Sequence, residues 1–446
     1  MQEGTISAPQ IPPQGSGLVS MAATNSRRCA KHCAAQRGEV AFMRNVIVVS
    51  LAVLTAGMIG PAQTLAATAT AVVRSIDLQK ARADALKTKG KRPYYTKRFD
   101  LSGLPDYRPL HKLSGTIRQW GSNYLADGKL EKYFEVAFHR YYPNVKFVDN
   151  LSSTFLGIAG LYTKQADLAP MGRKATWDEL QAYQRVFGRL PVEIVMATGS
   201  YDVSGWTSAL VVFVNKSNPI SKLTLAQLDG IFGAQRDGGW KDNSWDESAA
   251  RGPEKNIRTW GQLGLTGAWA NKPIHVYGYN LNYHFPRDFA DKVFGGGYKW
   301  NETMREFSNK VGKKTGDFGK LRTAGAQMTA ALVDDKYGIT YSAIQYGNDG
   351  VKPVALAETQ SGPYVPVTIE TVQDRTYPLA REVYFYANRG KDGQMDPVVT
   401  EYLKFIVSRQ GQELVQRDGK YLPLTAKLAG EQLKKLNDIE VGKARR

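Results

Sequence analysis

The chain has 446 residues, with 59 Lys or Arg against 41 Asp or Glu, and a formal charge of +18. That length suits two or three domains with sizeable cores, and the basic excess favours anionic partners: small anions, a negatively charged envelope or nucleic acid. Both cysteines, Cys29 and Cys33, precede Met43, so from Met43 onward disulfides, a lipid-bearing cysteine and thiol catalysis are excluded.

Residues 1–42 are polar or small, carry Pro9, Pro12 and Pro13, and show no apolar periodicity. They read as a disordered segment upstream of a start assigned too early. His32 between the cysteines suggests a metal, but a single C-x3-C cannot close a tetrahedral site. Met43-Arg44-Asn45 opens an uncharged run over 46–59, followed by Gly60-Pro61 and the small-residue tract 65–69. This is the pattern of a secretory signal peptide over 43–69, with cleavage between Ala66 and Ala69. The apolar run is short for a membrane span. Export to a periplasm-like space follows, which removes nucleic acid from the expected partners. Residues 1–69 hold five basic and two acidic side chains, so their removal lowers +18 to +15. Residues 70–112, rich in Lys, Arg, Tyr and Pro, read as a basic leader or surface strap.

The core is expected to begin near Leu113. Residues 114–120 (SGTIRQW) read as a strand, and Gly121-Ser122-Asn123 as a turn able to cap a helix. Leu130, Phe134, Phe138 and Tyr141 recur with helical spacing, Pro143 stops that helix, and 145–148 is a second strand. Ser152-Ser153-Thr154, a short helix over 156–162 and a third strand over 166–171 repeat the pattern. This βαβαβ order predicts a parallel sheet with ligands at the strand ends. Those ends carry Ser122, Asn123, Ser152, Ser153, Thr154 and Arg173, a donor set suited to a small oxyanion. Taken singly, the hydroxyls are equally ordinary helix caps.

Further on, Thr176 and Glu179 form a T-x-x-E capping box, and 192–197 is a buried strand. Residues 208–215 (SALVVFVN) have the near-continuous apolar character of a central strand. Thr224 and Gln227 cap a helix over 225–232, and 238–253 reads as a polar, charged loop. Strands are expected at 272–277, 338–341 and 383–387, with helices at 285–294, 326–332, 398–407 and 412–416. Residues 421–424 close the core, and 429–436 form a charged amphipathic tail helix. No repeat of solenoid length is present.

The ordered set of segments resembles the phosphate-type periplasmic substrate-binding proteins of ABC transporters. Gly115-Thr116-Ile117 to Gly121-Ser122 is similar to the first strand and anion loop, and Phe138 to Val145 (FHRYYPNV) to the F-x-x-x-Y-P-x-V that follows. Ser152-Ser153-Thr154 matches the serine-rich second loop and 166–171 the third. Asn215 to Pro219, Leu223-Thr224 and Ile231-Phe232-Gly233 resemble the passage into the second lobe. Tyr377-Pro378-Leu379-Ala380-Arg381 resembles its return, and Gly411-Gln412 with Tyr421 to Leu424 the close. The resemblance spans about 113–424. It implies an α/β, two-lobed periplasmic-binding-protein-like fold of type II, with hinge strands at 208–215 and 381–387. Lobe one would comprise 113–208 and 381–446 with the C-terminal helix, and lobe two 209–380.

Where relatives carry R-x-x-G-S-G-T after the 272–277 strand, this chain has Gly278 to Phe285 (GYNLNYHF). Tyr279 stands at the arginine, and Asn282-Tyr283-His284 at S-G-T. Tyr279, Asn280, Asn282 and His284 are the lobe-two ligand candidates, and Gly172-Arg173 occupies the place of an aspartate common in the family. The resemblance implies capture of a small anion, phosphate first, by a monomer without cofactor or metal that delivers it to a membrane ABC permease. The alternative is an envelope sensor or interaction protein that kept the fold and changed its ligand. An enzyme is not expected. His32, His111, His139, His275 and His284 fall in no H-E-x-x-H, and neither a G-x-S-x-G elbow nor a Walker A sequence occurs.

Overall fold

The computed structural model describes residues 76–81, 84–85, 97–109, 112–203, 206–316, 319–390 and 393–441. The signal peptide expected over 43–69, the segment before it with both cysteines, and about half of the 70–112 leader lie outside those residues. Residues 97–109 do not merely strap the surface: Leu101, Leu104 and Tyr107 are buried in the first of two hydrophobic cores. The Tyr107 hydroxyl donates to Glu401 at 2.8 Å.

Ten strands build two sheets. In chain order they are β1 (Gly115–Trp120), β2 (Val145–Asn150), β3 (Leu168–Met171), β4 (Val192–Thr198), β5 (Val211–Asn215), β6 (His275–Tyr279), β7 (Arg305–Phe307), β8 (Gly338–Ser342), β9 (Val351–Pro353) and β10 (Glu382–Ala387). The first sheet has the order β2-β1-β3-β10-β4 and the second β7-β6-β8-β5-β9. β1 runs parallel to β2, with Ile117 opposite Phe147, and parallel to β3. β10 returns antiparallel between β3 and β4. In the second sheet β6 is parallel to β7 and β8, while β5 is antiparallel to β8 and β9. The parallel part is the βαβαβ unit, because a strand followed by a crossover helix can only rejoin its sheet in the same direction.

Each sheet has its own core. Around the first, the helix Leu130–His139 buries Leu130, Phe134 and Phe138. It ends before Tyr141, which is 37% exposed, and Tyr142 takes the buried place at 1%. The helices Pro397–Val407, Arg409–Asp418 and Ala426–Val441 pack on the same core through Leu403, Phe405, Val415 and Leu436. Around the second sheet lie Leu225–Phe232, His284–Val293 and Ala324–Asp334. Both capping boxes read from sequence, Thr176 with Glu179 and Thr224 with Gln227, are present.

The chain passes between the sheets twice, along 199–210 and 374–381. The strands expected as hinges each belong to one sheet: β5 to the second, β10 to the first. The crossing is made by the backbone just before each, where the apolar pattern gives way to polar residues. The two crossings bond to one another through Gly199 N to Arg381 O at 2.8 Å and Leu210 N to Leu379 O at 3.1 Å. A Cβ on Gly199 would lie 2.1 Å from the Thr207 carbonyl oxygen, so only glycine permits that approach.

Candidate functional site

On the first-sheet side, β1 is followed by Gly121, whose Cβ position lies 2.1 Å from the Pro170 carbonyl oxygen. That approach lets Ser122 N donate to Pro170 O at 2.8 Å, and Ser153 N donates to Gly121 O at 2.9 Å, tying the two loops together. Ser122 is buried and caps the helix Asn123–Gly128, accepting from Tyr124 N at 3.4 Å. Ser153 caps the turn Thr154–Leu156, accepting from Phe155 N at 3.3 Å. Both act as caps, and both retain a hydroxyl hydrogen that can be donated elsewhere. Asn123 donates to Asp127 within its own helix at 2.8 Å. Ser152 is exposed and donates to Asn150 at 2.9 Å, while Thr154 is half-buried. Ser122, Tyr124 and Thr207 converge around Gly172, where Thr207 Oγ1 donates to Gly172 O at 3.0 Å.

Arg173 is 4% exposed. Its two Nη atoms form a fork on Glu179 at 2.7 and 2.8 Å, Nη1 also reaches Lys174 O at 2.9 Å, and the guanidinium lies 5.2 Å from the Phe155 ring centre. A guanidinium held this way is committed to its own lobe, and the Glu179 of the capping box is what holds it.

On the second-sheet side, the rebuilt loop forms an aromatic stack and a local turn. Tyr279 is buried, its hydroxyl pairs with Ser342 Oγ at 3.3 Å, and its ring stacks on Phe285 at 4.6 Å. Burial pushes its phenol well above the usual range. Asn280 Oδ1 accepts from Asn282 N at 3.1 Å in an Asx turn, with Asn282 exposed. His284 opens the helix His284–Val293, its ring 4.2 Å from Phe285. The other face of this cluster meets Arg381, whose guanidinium lies 5.2 Å from the Phe285 ring centre. Arg381 is 2% exposed, pairs with the buried Asp288 and donates to Ser208 O at 3.2 Å, while its Nε has no partner among the described residues.

A cavity of about 240 Å³ opens between these walls. It is lined by Arg173 and Lys174 beyond β3, by Asp288, Asp291 and Lys292 on one face of the His284–Val293 helix, and by Arg381, Glu382 and Tyr384 at the start of β10. Of the ten residues expected from sequence, Arg173 lines it, and the other nine are not among the lining residues. The loop residues were chosen by adjacency to strand ends, whereas the lining is drawn from a helix face and a crossing. The spacing of Asp288, Asp291 and Lys292 at i, i+3 and i+4 is the one sequence signal that could have found them.

Charges in the cavity are mostly paired. Lys174 meets Asp242 at 2.6 Å, Lys292 meets Glu382 at 3.4 Å, Arg173 meets Glu179, and Arg381 meets Asp288. Burial raises the Asp288 carboxyl above its usual range, with Arg381 opposing. For Glu382 burial acts the same way but is outweighed, Lys292 and Arg375 holding it below its usual range. Asp291 accepts from the Tyr298 hydroxyl at 2.9 Å and makes no ion pair among the described residues. It keeps solvent contact, yet the protein around it, and then Asp288, push its carboxyl up to about 6. Among the described residues no group of three or more His, Cys, Asp or Glu could hold a metal ion.

The mouth is bridged by the segment expected as a polar loop. Residues Gly239–Lys241 and Ser244–Asp246 form a hairpin. Trp240 stacks on Trp177 of the helix Trp177–Phe187 at 4.4 Å and 9°, and Lys174–Asp242 flanks the stack. Tryptophan in a charged stretch was the missed signal, since a large indole needs a partner to leave water.

The sequence matches the family described as PBP superfamily domain over residues 112–410. The protein named phosphate-binding protein PstS in Pseudomonas aeruginosa is 31% identical over 335 residues, covering 75% of this chain and 90% of that one. Protein SphX of Synechococcus elongatus is 24% identical over 295 residues, covering 65% and 72%. A crystal structure described as a possible phosphate binding protein from Planctomyces limnophilus superposes with a TM-score of 0.41 at 20% identity, covering 74% of this chain and 99% of that one. On the two sequence matches over most of its length, the chain belongs to the PBP superfamily, among the phosphate-type substrate-binding proteins.

Proposed function

We propose that this protein is an exported solute-binding protein that captures a small oxyanion of the phosphate type between two lobes and presents it to a membrane ABC permease. The observation that carries this reading is the cavity between the two sheets, lined by four basic side chains, in a chain 31% identical to a protein named for phosphate binding. Closure would turn on the paired crossings 199–210 and 374–381, with lobe one on the first sheet and lobe two on the second. The reading includes a signal peptide at 43–69 and a monomeric, non-catalytic protein.

Isothermal calorimetry with inorganic phosphate and sulfate is the direct test, together with a search for heat from neutral sugars and cationic amino acids. Saturable binding of a phosphorus oxyanion supports the reading. Binding confined to neutral or cationic solutes overturns it, and sustained turnover of a chromogenic phosphate ester would make the protein an enzyme.

A further inference from the structure

We propose that the ligand of this cavity is a small zwitterion, in which a protonated amine is joined by a short chain to a phosphate- or phosphonate-type group, with Asp291 receiving the amine. This rests on the oxyanion reading above and narrows it.

The argument is one of charge and room. Each of the four cations lining the cavity already has a carboxylate partner: Glu179, Asp242, Glu382 and Asp288. Asp291 is a fifth carboxylate, with a neutral hydroxyl as its partner and solvent contact where it lines the cavity. A bare dianion entering this set would add negative charge where carboxylates already outnumber cations. An ammonium carried by the ligand offsets part of that added charge beside Asp291 and supplies donors to a group that can only accept.

The cations are not equivalent. Arg173 and Arg381 are almost fully buried in their pairs, whereas the Lys174–Asp242 pair has side-chain exposures of 38% and 45%, and Lys292–Glu382 of 29% and 18%. The exposed Lys174–Asp242 pair is weak enough for the Lys174 ammonium to turn toward a ligand oxyanion, which the Lys292 ammonium can share while it keeps Glu382. Lys292 lies next to Asp291 in sequence. A site with an acidic and a basic subsite side by side suits a molecule carrying both charges. The volume agrees. About 240 Å³ is the room of about eight waters at ~30 Å³ each, of which a bare tetrahedral oxyanion takes roughly three.

The test is calorimetry on the purified protein at about pH 7.5 with 2-aminoethylphosphonate, ethylphosphonate, inorganic phosphate and ethylamine. The expected result is 2-aminoethylphosphonate binding at least about tenfold tighter than each of the other three, a ratio well above the resolution of the method. Asp291→Asn, checked for native folding by its thermal transition, should bring 2-aminoethylphosphonate to within about threefold of ethylphosphonate, and Asp291→Glu should keep part of the preference. Inorganic phosphate or ethylphosphonate binding as tightly as 2-aminoethylphosphonate overturns the proposal and leaves the oxyanion reading standing. No binding by any phosphorus compound overturns both. Ethylamine binding as tightly as 2-aminoethylphosphonate removes the oxyanion half, and an unchanged preference in Asp291→Asn removes Asp291 from the amine subsite.

Discussion

At the residue scale, the Arg381–Asp288 pair joins a crossing to the second core. Both side chains are buried, so their attraction is offset by the loss of water. Removing one partner is another matter, because a lone charge stays behind. Arg381→Ala should therefore cost about 3–5 kcal/mol of stability, measured by urea unfolding. The double change Arg381→Met with Asp288→Asn should recover most of that loss; a double variant as unstable as the single would mean that the Phe285 and Ser208 contacts of Arg381 outweigh the ion pair. Asp418, outside the cavity lining, offers a pH test. It is 3% exposed, pairs with Lys420 at 3.1 Å, and burial pushes it from 3.8 up to about 6 against that pairing. A carboxyl raised on folding favours the native state while protonated. Its contribution is thus complete below about pH 4 and lost as the pH rises through 6. Stability measured across that window should shift in favour of Asp418→Asn by up to about 3 kcal/mol relative to the parent. A difference between the two proteins that stays constant with pH would sink the assignment.

At the element scale, the helix Leu130–His139 holds the first core through Phe138, whose ring is 5.1 Å from Tyr402, 5.6 Å from Phe405 and 4.9 Å from Tyr142. Phe138 is fully buried, so Phe138→Ala removes both transfer energy and packing. The expected cost is about 3–5 kcal/mol by chemical denaturation; a loss below about 1 kcal/mol would mean that the core collapses around the gap. Gly121 sets the two anion-loop caps. Gly121→Ala places a methyl against the Pro170 carbonyl and should separate β1 from β3 at their ends. The Ser122 N to Pro170 O bond would then lengthen, which amide hydrogen exchange at Ser122 reads as lost protection. Protection equal to the parent would show that the loop has another tether.

At the scale of the whole molecule, the Trp177–Trp240 stack and the Lys174–Asp242 pair span from a first-sheet helix to a hairpin of the second-sheet body. If such a contact exists only when the cavity is closed, it contributes to ligand affinity without touching the ligand. An aromatic pair is worth about 0.5–1.5 kcal/mol beyond its area. Trp240→Ala should therefore weaken ligand binding about two- to tenfold and enlarge the radius of gyration of the free protein in small-angle scattering. Unchanged affinity and radius together would show that the hairpin decorates the mouth without holding it.

What the sequence determined by itself is local. Near-continuous apolar runs marked β4 and β5, helical spacing marked Leu130–His139, and both threonine capping boxes were legible, because their energies arise within a few residues of chain. The order of strands and polar turns likewise pointed to a parallel α/β sheet, and the family resemblance implied two such lobes. What only the tertiary structure decided are meetings between distant segments. Arg173, a ligand candidate from its place at a strand end, is spent on Glu179 in the next helix. Arg381 and Asp288, 93 positions apart, find one another across a crossing. The stretch 238–253, too charged to read as structure, carries a hairpin because Trp240 has Trp177 to stack on. The loops at the strand ends could be placed from sequence, since a strand end is a local event. The cavity lining could not, because a helix face, a crossing and a strand start become neighbours only once two separate cores have packed.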